Sequence, residues 1–323
     1  RRGGQDRGRP GRADAHRTGA PGARAGDAHR TRVATDGGRA PTRRPRWGTV
    51  VCMPEGHVIH RLANRTNELF AAEAVAVSSP QGRFAESAAL LDGTTLDRAE
   101  TWGKHLFVAF DADVPANILQ IHLGLIGRLT FAPLAEPVGQ VRVRIADDRW
   151  AADLHGPQTC RLVTATERDA ATARLGEDPL RADADPQRVW TRVHRSSRPI
   201  AALLMDQAVF AGVGNIYRAE VLFRQGIDPA CPGSELERSR FDAIWADLVH
   251  LMALGVRDGR IDTVRPEHTP EAMGRPPRVD AHGGEVYVYR RADRPCLVCG
   301  RPVHETDLGG RHLFWCPACQ RGR

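Results

Sequence analysis

Four cysteines stand as Cys296-x2-Cys299 and Cys316-x2-Cys319, with 16 residues between the pairs. Thiolates at this spacing form two knuckles that close a tetrahedral, all-sulfur zinc site. Four sulfur ligands leave no open position, so such a zinc is structural. The alternatives are unrelated redox pairs or chance. Cys52, Cys160 and Cys231 make an odd total of 7, which fits a reducing compartment better than a disulfide framework.

A second chemistry sits at Met53-Pro54-Glu55-Gly56-His57. Translation from Met53 followed by methionine removal would leave Pro54 with a free secondary amine. An α-amino group titrates near 7.7–8.0, against about 10.4 for lysine, so part of it is nucleophilic at neutral pH. Attack on a sugar C1′ would give a cationic iminium, an electron sink of the Schiff-base kind. Glu55 next to it is placed to shuttle protons. The plainer reading is a proline opening a helix at its first position.

Three more stretches could bind or position a substrate. Gly212-Val213-Gly214-Asn215 lies between two helical segments. The amides at the following helix start, with the Asn215 side chain, could hold a phosphate, or the stretch is an ordinary helical hairpin turn. Lys104 opens a strand in Trp102-Gly103-Lys104-His105, and it is the one lysine among 46 Lys and Arg residues. In so arginine-rich a chain, that suggests a place arginine would not fill. A solvated strand-edge lysine is the alternative. Leu125 and Ile126 tip the turn His122-Leu123-Gly124-Leu125-Ile126-Gly127. Either could wedge into a vacated base stack or pack in a core.

The elements that must carry these residues are legible as blocks. Val58, Ile59, Leu62, Leu69 and Phe70 recur at helical spacing directly after Pro54-Glu55. Short strand-like runs follow at 75–77, 104–110, 117–123, 128–131, 141–146 and 150–154, which predicts a β-sandwich or barrel ending near residue 163. Residues 164–264 are helical in character. Asp178-Pro179 and Asp185-Pro186 read as helix starts, and helices are expected over 200–210, 216–224 and 236–254. Residues 266–284, with four prolines, read as a polar mobile loop. The alternation in 285–291 predicts a strand leading into the cysteines.

Composition bounds the rest. No apolar run approaches the roughly 18 residues of a membrane span. Residues 1–52 hold 13 Arg and 4 Asp, and the whole chain is only +7, so the high basicity belongs to that stretch. It lacks aliphatic clusters and an apolar signal segment, and is expected to be disordered or foreign to the natural protein. Within the remainder, residues 145–186 are net −4 and residues 188–226 net +4, a local hint of a phosphate-binding face.

In order and spacing, Pro-Glu-Gly at 54–56, Gly-Lys at 103–104, His-Leu-Gly-Leu at 122–125, Ala-Gly-Val-Gly-Asn-Ile-Tyr at 211–217 and Arg311 through Cys316-Pro-Ala-Cys319-Gln320 resemble one family. It is the formamidopyrimidine-DNA glycosylase/endonuclease VIII family, and the likeness is greatest to the actinobacterial endonuclease VIII-like proteins. The resemblance implies an α+β fold: a helix plus β-sandwich domain over 53–163, a helical helix–two-turn–helix domain over 164–284, and a zinc finger over 285–323. It implies a base-excision enzyme that removes oxidised bases, mainly pyrimidines, and nicks the strand. Pro54 would be the nucleophile and Glu55 the proton donor. Lys104, Asn215 and Arg311 would contact phosphate, and Leu125 would fill the vacated stack. Damaged DNA is the implied partner of a monomer in the bacterial cytoplasm, associated with the nucleoid. His57-Val58 stand where endonuclease VIII proteins carry a second glutamate. A DNA-binding protein without catalysis on the same scaffold is the rival reading. A zinc-ribbon protein that binds other proteins is a third.

Overall fold

The computed structural model describes residues 54–280 and 284–321. The expectation of disorder for residues 1–52 lies outside the described residues. The fold is α+β, as the sequence indicates. Helix α1 (Gly56–Phe70) leads into a β-sandwich of nine strands. These are β1 (Glu73–Ala74), β2 (Ala76–Ser78), β3 (Thr95–Trp102), β4 (His105–Asp111), β5 (Ile118–His122), β6 (Arg128–Pro133), β7 (Val141–Ala146), β8 (Trp150–His155) and β9 (Thr159–Val163). One sheet runs β1-β3-β4-β5-β9 and the other β2-β7-β8-β6, with antiparallel pairing throughout. Alternate residues of facing strands, among them Leu106, Val108, Leu119, Ile121, Val143 and Ile145, fill the core against Ile59 and Phe70 of α1. Strand β3 carries Asp97, Arg98 and Glu100, and β9 is five residues with Arg161 at its centre, so both escaped the apolar-run criterion. The short helix α2 (Ala85–Leu91) escaped it too.

The second half packs α3 (Ala165–Thr172), α4 (Pro186–His194), α5 (Ile200–Met205), α6 (Asn215–Arg224) and α7 (Arg238–Asp258). Helix α6 is buried from Asn215 to Phe223 at the centre of this core, with Phe210, Phe241, Leu248 and Met252 around it. Asp185 starts α4 as expected, its side chain accepting from the Gln187 amide at 2.9 Å.

Four expectations need correction. Asp178-Pro179 starts no helix: Asp178 is fully buried, and although its Oδ1 accepts the Leu180 amide at 2.9 Å as a cap would, its Oδ2 is taken by the distant Gly103 amide at 2.8 Å and the chain makes only a turn. The helix expected over 200–210 ends at Met205, because the Asp206 side chain takes the Ala208 amide at 3.0 Å and turns the chain. The loop at 266–284 is not featureless. It holds a 3-10 turn over Pro266–His268 and helix α8 (Pro270–Met273), and Arg275 and the Arg278 amide are tied to Glu285. Finally, 285–291 is no strand. Glu220 on α6 is fully buried and its carboxylate accepts the amides of Tyr287, Val288 and Tyr289 at 2.7–2.8 Å. Three successive amides aimed at one carboxylate cannot also face a β-ladder. Beyond this anchor, β10 (His304–Asp307) and β11 (His312–Trp315) form the hairpin between the cysteine pairs.

Candidate active site

Pro54 and Glu55 precede α1, and Glu55 occupies its N-cap position, its carbonyl accepting the Val58 amide at 2.9 Å but its side chain making no cap bond. The carboxylate turns instead to the start of α6, where Oε1 accepts the Ile216 amide at 2.8 Å and Oε2 lies 3.5 Å from the Tyr217 amide. The α6 N-terminus presents unsatisfied amides and the positive end of its dipole. Gly214 makes this approach feasible: a Cβ there would lie 2.3 Å from Glu55 Cδ. Gly212, at φ +87, presents its carbonyl to the Gly56 amide at 2.8 Å. The two glycines of Gly-Val-Gly-Asn therefore seat the Pro54-Glu55 end of the sandwich domain against the helical domain.

Glu55 is 1% exposed, and burial pushes its pKa up; the Lys104 charge and the α6 amides oppose that shift without cancelling it. Lys104 sits in the two-residue turn between β3 and β4, closed by the Trp102–His105 pair. Burial lowers its pKa, Glu55 counters, and the Arg311 charge adds to the lowering. A buried acid whose pKa is raised, coupled to an amine whose pKa is lowered, is the kind of pair suited to proton transfer.

Arg311 is exposed at the turn of the β10–β11 hairpin, where its carbonyl accepts the Leu308 amide at 3.0 Å. Asn215 does not point freely to solvent. Its amide donates to the His312 carbonyl at 3.0 Å, tying the start of α6 to the hairpin beside Arg311. Arg218 was not singled out by sequence reasoning. It is 1% exposed and donates to Asn215 Oδ1 and, at 3.1 Å, to the same His312 carbonyl. Burial and then the Arg311 charge lower its pKa to about 10. A lone arginine on a central helix carries no spacing signal, which is why it was missed. Lys104 and Arg218 are each coupled electrostatically to Glu55 and to Arg311, and this gathering of positive charge fits a phosphodiester. Leu125 and Ile126 project at the β5–β6 turn, 66% and 79% exposed. Exposed apolar side chains at a turn tip suit insertion between bases better than core packing.

The four sulfurs of Cys296, Cys299, Cys316 and Cys319 lie within 4.8 Å of one another, with Cys299–Cys316 at 3.5 Å and Cys296–Cys319 at 3.9 Å. A tetrahedral zinc with Zn–S of about 2.3 Å requires sulfurs roughly 3.8 Å apart. The donor set fits a structural zinc, which supplies folding energy to the hairpin that carries Arg311.

Three families match the chain in succession. The formamidopyrimidine-DNA glycosylase N-terminal domain matches residues 53–163, the formamidopyrimidine-DNA glycosylase H2TH domain residues 175–265, and the zinc finger found in FPG and IleRS residues 294–322. "Endonuclease 8 1" of Mycobacterium tuberculosis is 50% identical over 277 residues, which cover 83% of this chain and 100% of that protein. The crystal structure of MutM (Fpg) from Thermus thermophilus superposes with a TM-score of 0.64 at 26% identity, over 84% of this chain and 100% of that one. Lactococcus lactis Fpg in complex with DNA containing an abasic site superposes with a TM-score of 0.67 over 83% and 99%, and at 20% identity this likeness speaks for the fold. With a relative so similar matched over its whole length, and with the site geometry above, the chain belongs to the formamidopyrimidine-DNA glycosylase/endonuclease VIII family.

Proposed function

We infer that the protein is a bifunctional DNA glycosylase and abasic-site lyase that removes oxidised bases, chiefly pyrimidines. The observation that carries this is Glu55: a fully buried carboxyl, its pKa raised, held at the α6 N-terminus next to Pro54 in the chain and within electrostatic reach of Lys104. In this reading the Pro54 nitrogen attacks C1′ of the damaged nucleotide. The C1′–base bond breaks and the base leaves with a proton from Glu55. The Pro54 nitrogen gives up its own proton, the C1′–O4′ bond opens as O4′ takes up a proton, and the iminium so formed acidifies the C2′ proton. Its removal drives electrons towards C3′, and the C3′–oxygen bond breaks to nick the strand. Lys104 and Arg311 hold the flanking phosphates, Asn215 fixes the finger hairpin near them, and Leu125 occupies the vacated stack. Residues 53–163 form the catalytic domain, 164–284 the helical DNA-binding domain and 285–323 the zinc finger. The protein acts as a monomer on nucleoid DNA in the cytoplasm; among the described residues, no helix is long and apolar enough to cross a membrane.

One observation favours a second reading. In the full sequence Pro54 is internal, and an amide nitrogen is no nucleophile. A chain that kept the preceding residues would bind damaged DNA without catalysis. The direct test presents protein beginning at Pro54 with duplexes carrying different oxidised bases. Release of an oxidised pyrimidine together with strand scission is expected. Binding without base release would leave only the second reading.

A further inference from the structure

Asp178 is fully buried, yet it belongs to none of the motifs that carry the family resemblance. Its Oδ2 accepts the Gly103 amide at 2.8 Å and faces His60 Nε2 at 2.9 Å, while Oδ1 accepts the Leu180 amide at 2.9 Å. Gly103 immediately precedes Lys104 in the β3–β4 turn, and His60 lies on α1, the helix that begins beside Glu55. The residues next to Asp178 extend the same stitch. The Gly176 carbonyl accepts Trp102 Nε1 at 2.9 Å, and the Glu177 carbonyl accepts the Ala211 amide at 3.0 Å. Segment 176–178 therefore grips three pieces of the site at once: the turn with Lys104, the turn leading into α6, and α1. Arg181 braces the same turn from outside, stacked 4.3 Å over the Trp102 ring and donating to the Thr101 carbonyl at 3.0 Å.

The grip has little slack. A Cβ on Gly103 would lie 3.0 Å from the Gly212 nitrogen, so the turn already rests on the backbone that seats Glu55. The Gly103 N–H belongs to the Trp102–Gly103 peptide that enters the turn, and the Asp178 carboxylate fixes the orientation of that peptide plane by holding it. Hydrogen bonds to a charged acceptor are the stronger kind, and burial excludes the water that would compete.

We propose that Asp178 is a positioning residue for base excision, orienting the Gly103 peptide so that the Lys104 amine faces Glu55 and the bound phosphodiester. This rests on the proposed glycosylase/lyase reading. The position of Lys104 is then set by a residue of the helical domain, 74 positions further along the chain.

The test is Asp178→Asn, which offers one acceptor oxygen where two now serve three donors. It is made in zinc-loaded protein beginning at Pro54, alone and combined with Lys104→Ala. Single-turnover excision should slow roughly 10- to 100-fold, the scale of a misplaced catalytic group, with substrate affinity changed less than about threefold. In the Lys104→Ala background the same substitution should change the rate by less than about twofold, because its effect passes through Lys104. An equal loss in both backgrounds would make Asp178 a support of the fold only, and no loss beside Lys104 would remove it from the reaction; either overturns the proposal. Should Asp178→Asn fail to fold, hydrogen exchange of the Gly103 amide in the unaltered protein decides: strong protection is expected, and exchange as fast as an open hairpin turn overturns it. Unaltered protein that excises nothing would sink the glycosylase reading, and the exchange measurement would still report on the clamp.

Discussion

At the scale of single residues, the site is a balance between one buried acid and the cations around it. Glu55 is the residue to perturb. Glu55→Gln keeps the shape and the α6 contacts to the side-chain oxygen but removes the proton. Base excision should fall by about 10²-fold or more, the usual worth of a general acid. Strand cleavage at a pre-formed abasic site should survive in part, since the amine of Pro54 remains. Normal base release by Glu55→Gln would end the proton-donor role. The raised pKa also gives a stability signature with a definite sign. A carboxyl whose folded pKa lies above its unfolded value favours folding in its neutral form, and that advantage is lost as pH rises through the folded value. Gln carries no such dependence. The Tm of Glu55→Gln should therefore rise relative to the parent as pH climbs from the ordinary carboxylate range. A Tm difference that is flat with pH would contradict the burial-driven shift.

At the scale of elements, the anchor of the zinc finger decides whether Arg311 reaches the site. Glu220 joins α6 to the stretch before the first cysteine through three amides, and Thr263 donates its hydroxyl to the same carboxylate. Glu220→Gln sets an NH2 against donors in a buried place, and should cost about 3 kcal/mol in denaturant unfolding. Zinc should stay bound at one per chain, because the cysteines supply its ligands independently. A variant within roughly 0.5 kcal/mol of the parent would mean the anchor is dispensable. The same element shows where the sequence stops being readable. Val286, Val288 and their tyrosine neighbours alternate as a strand would, but the alternation serves a buried carboxylate 66 residues upstream of Val286. Local pattern carries no sign of such a partner. Asp178 fails for the same reason: Asp-Pro is an excellent helix start until a distant amide claims the side chain. Helix α1, the core strands β4, β5, β7 and β8, and the four-cysteine cluster were legible, because period and spacing are properties of neighbouring residues. Lys104 stood out by composition and Asn215 by its Gly-x-Gly context, but that Asn215 binds the finger hairpin required the fold.

At the scale of the whole molecule, everything converges on a nitrogen that the full sequence places inside a peptide bond. Pro54 follows 53 residues whose first 52 carry a net charge of +9. Positive charge raises affinity for any DNA, but it cannot restore a lone pair delocalised into a carbonyl. On the proposed mechanism, DNA binding and chemistry can thus be uncoupled by the presence of a tail. The family match begins at Met53, immediately before Pro54. Two forms of the protein separate binding from catalysis, one beginning at Pro54 and one retaining the preceding residues. Each is incubated with abasic-site duplex and borohydride, which reduces an iminium to a stable amine linkage. The Pro54 form should become covalently attached to DNA. The extended form should bind at least as tightly at low salt, lose that advantage as salt rises, and give no adduct. Equal trapping by an intact extended chain would show that the nucleophile is another amine, and Lys104, half-buried beside Glu55 with its pKa lowered, would be the group responsible.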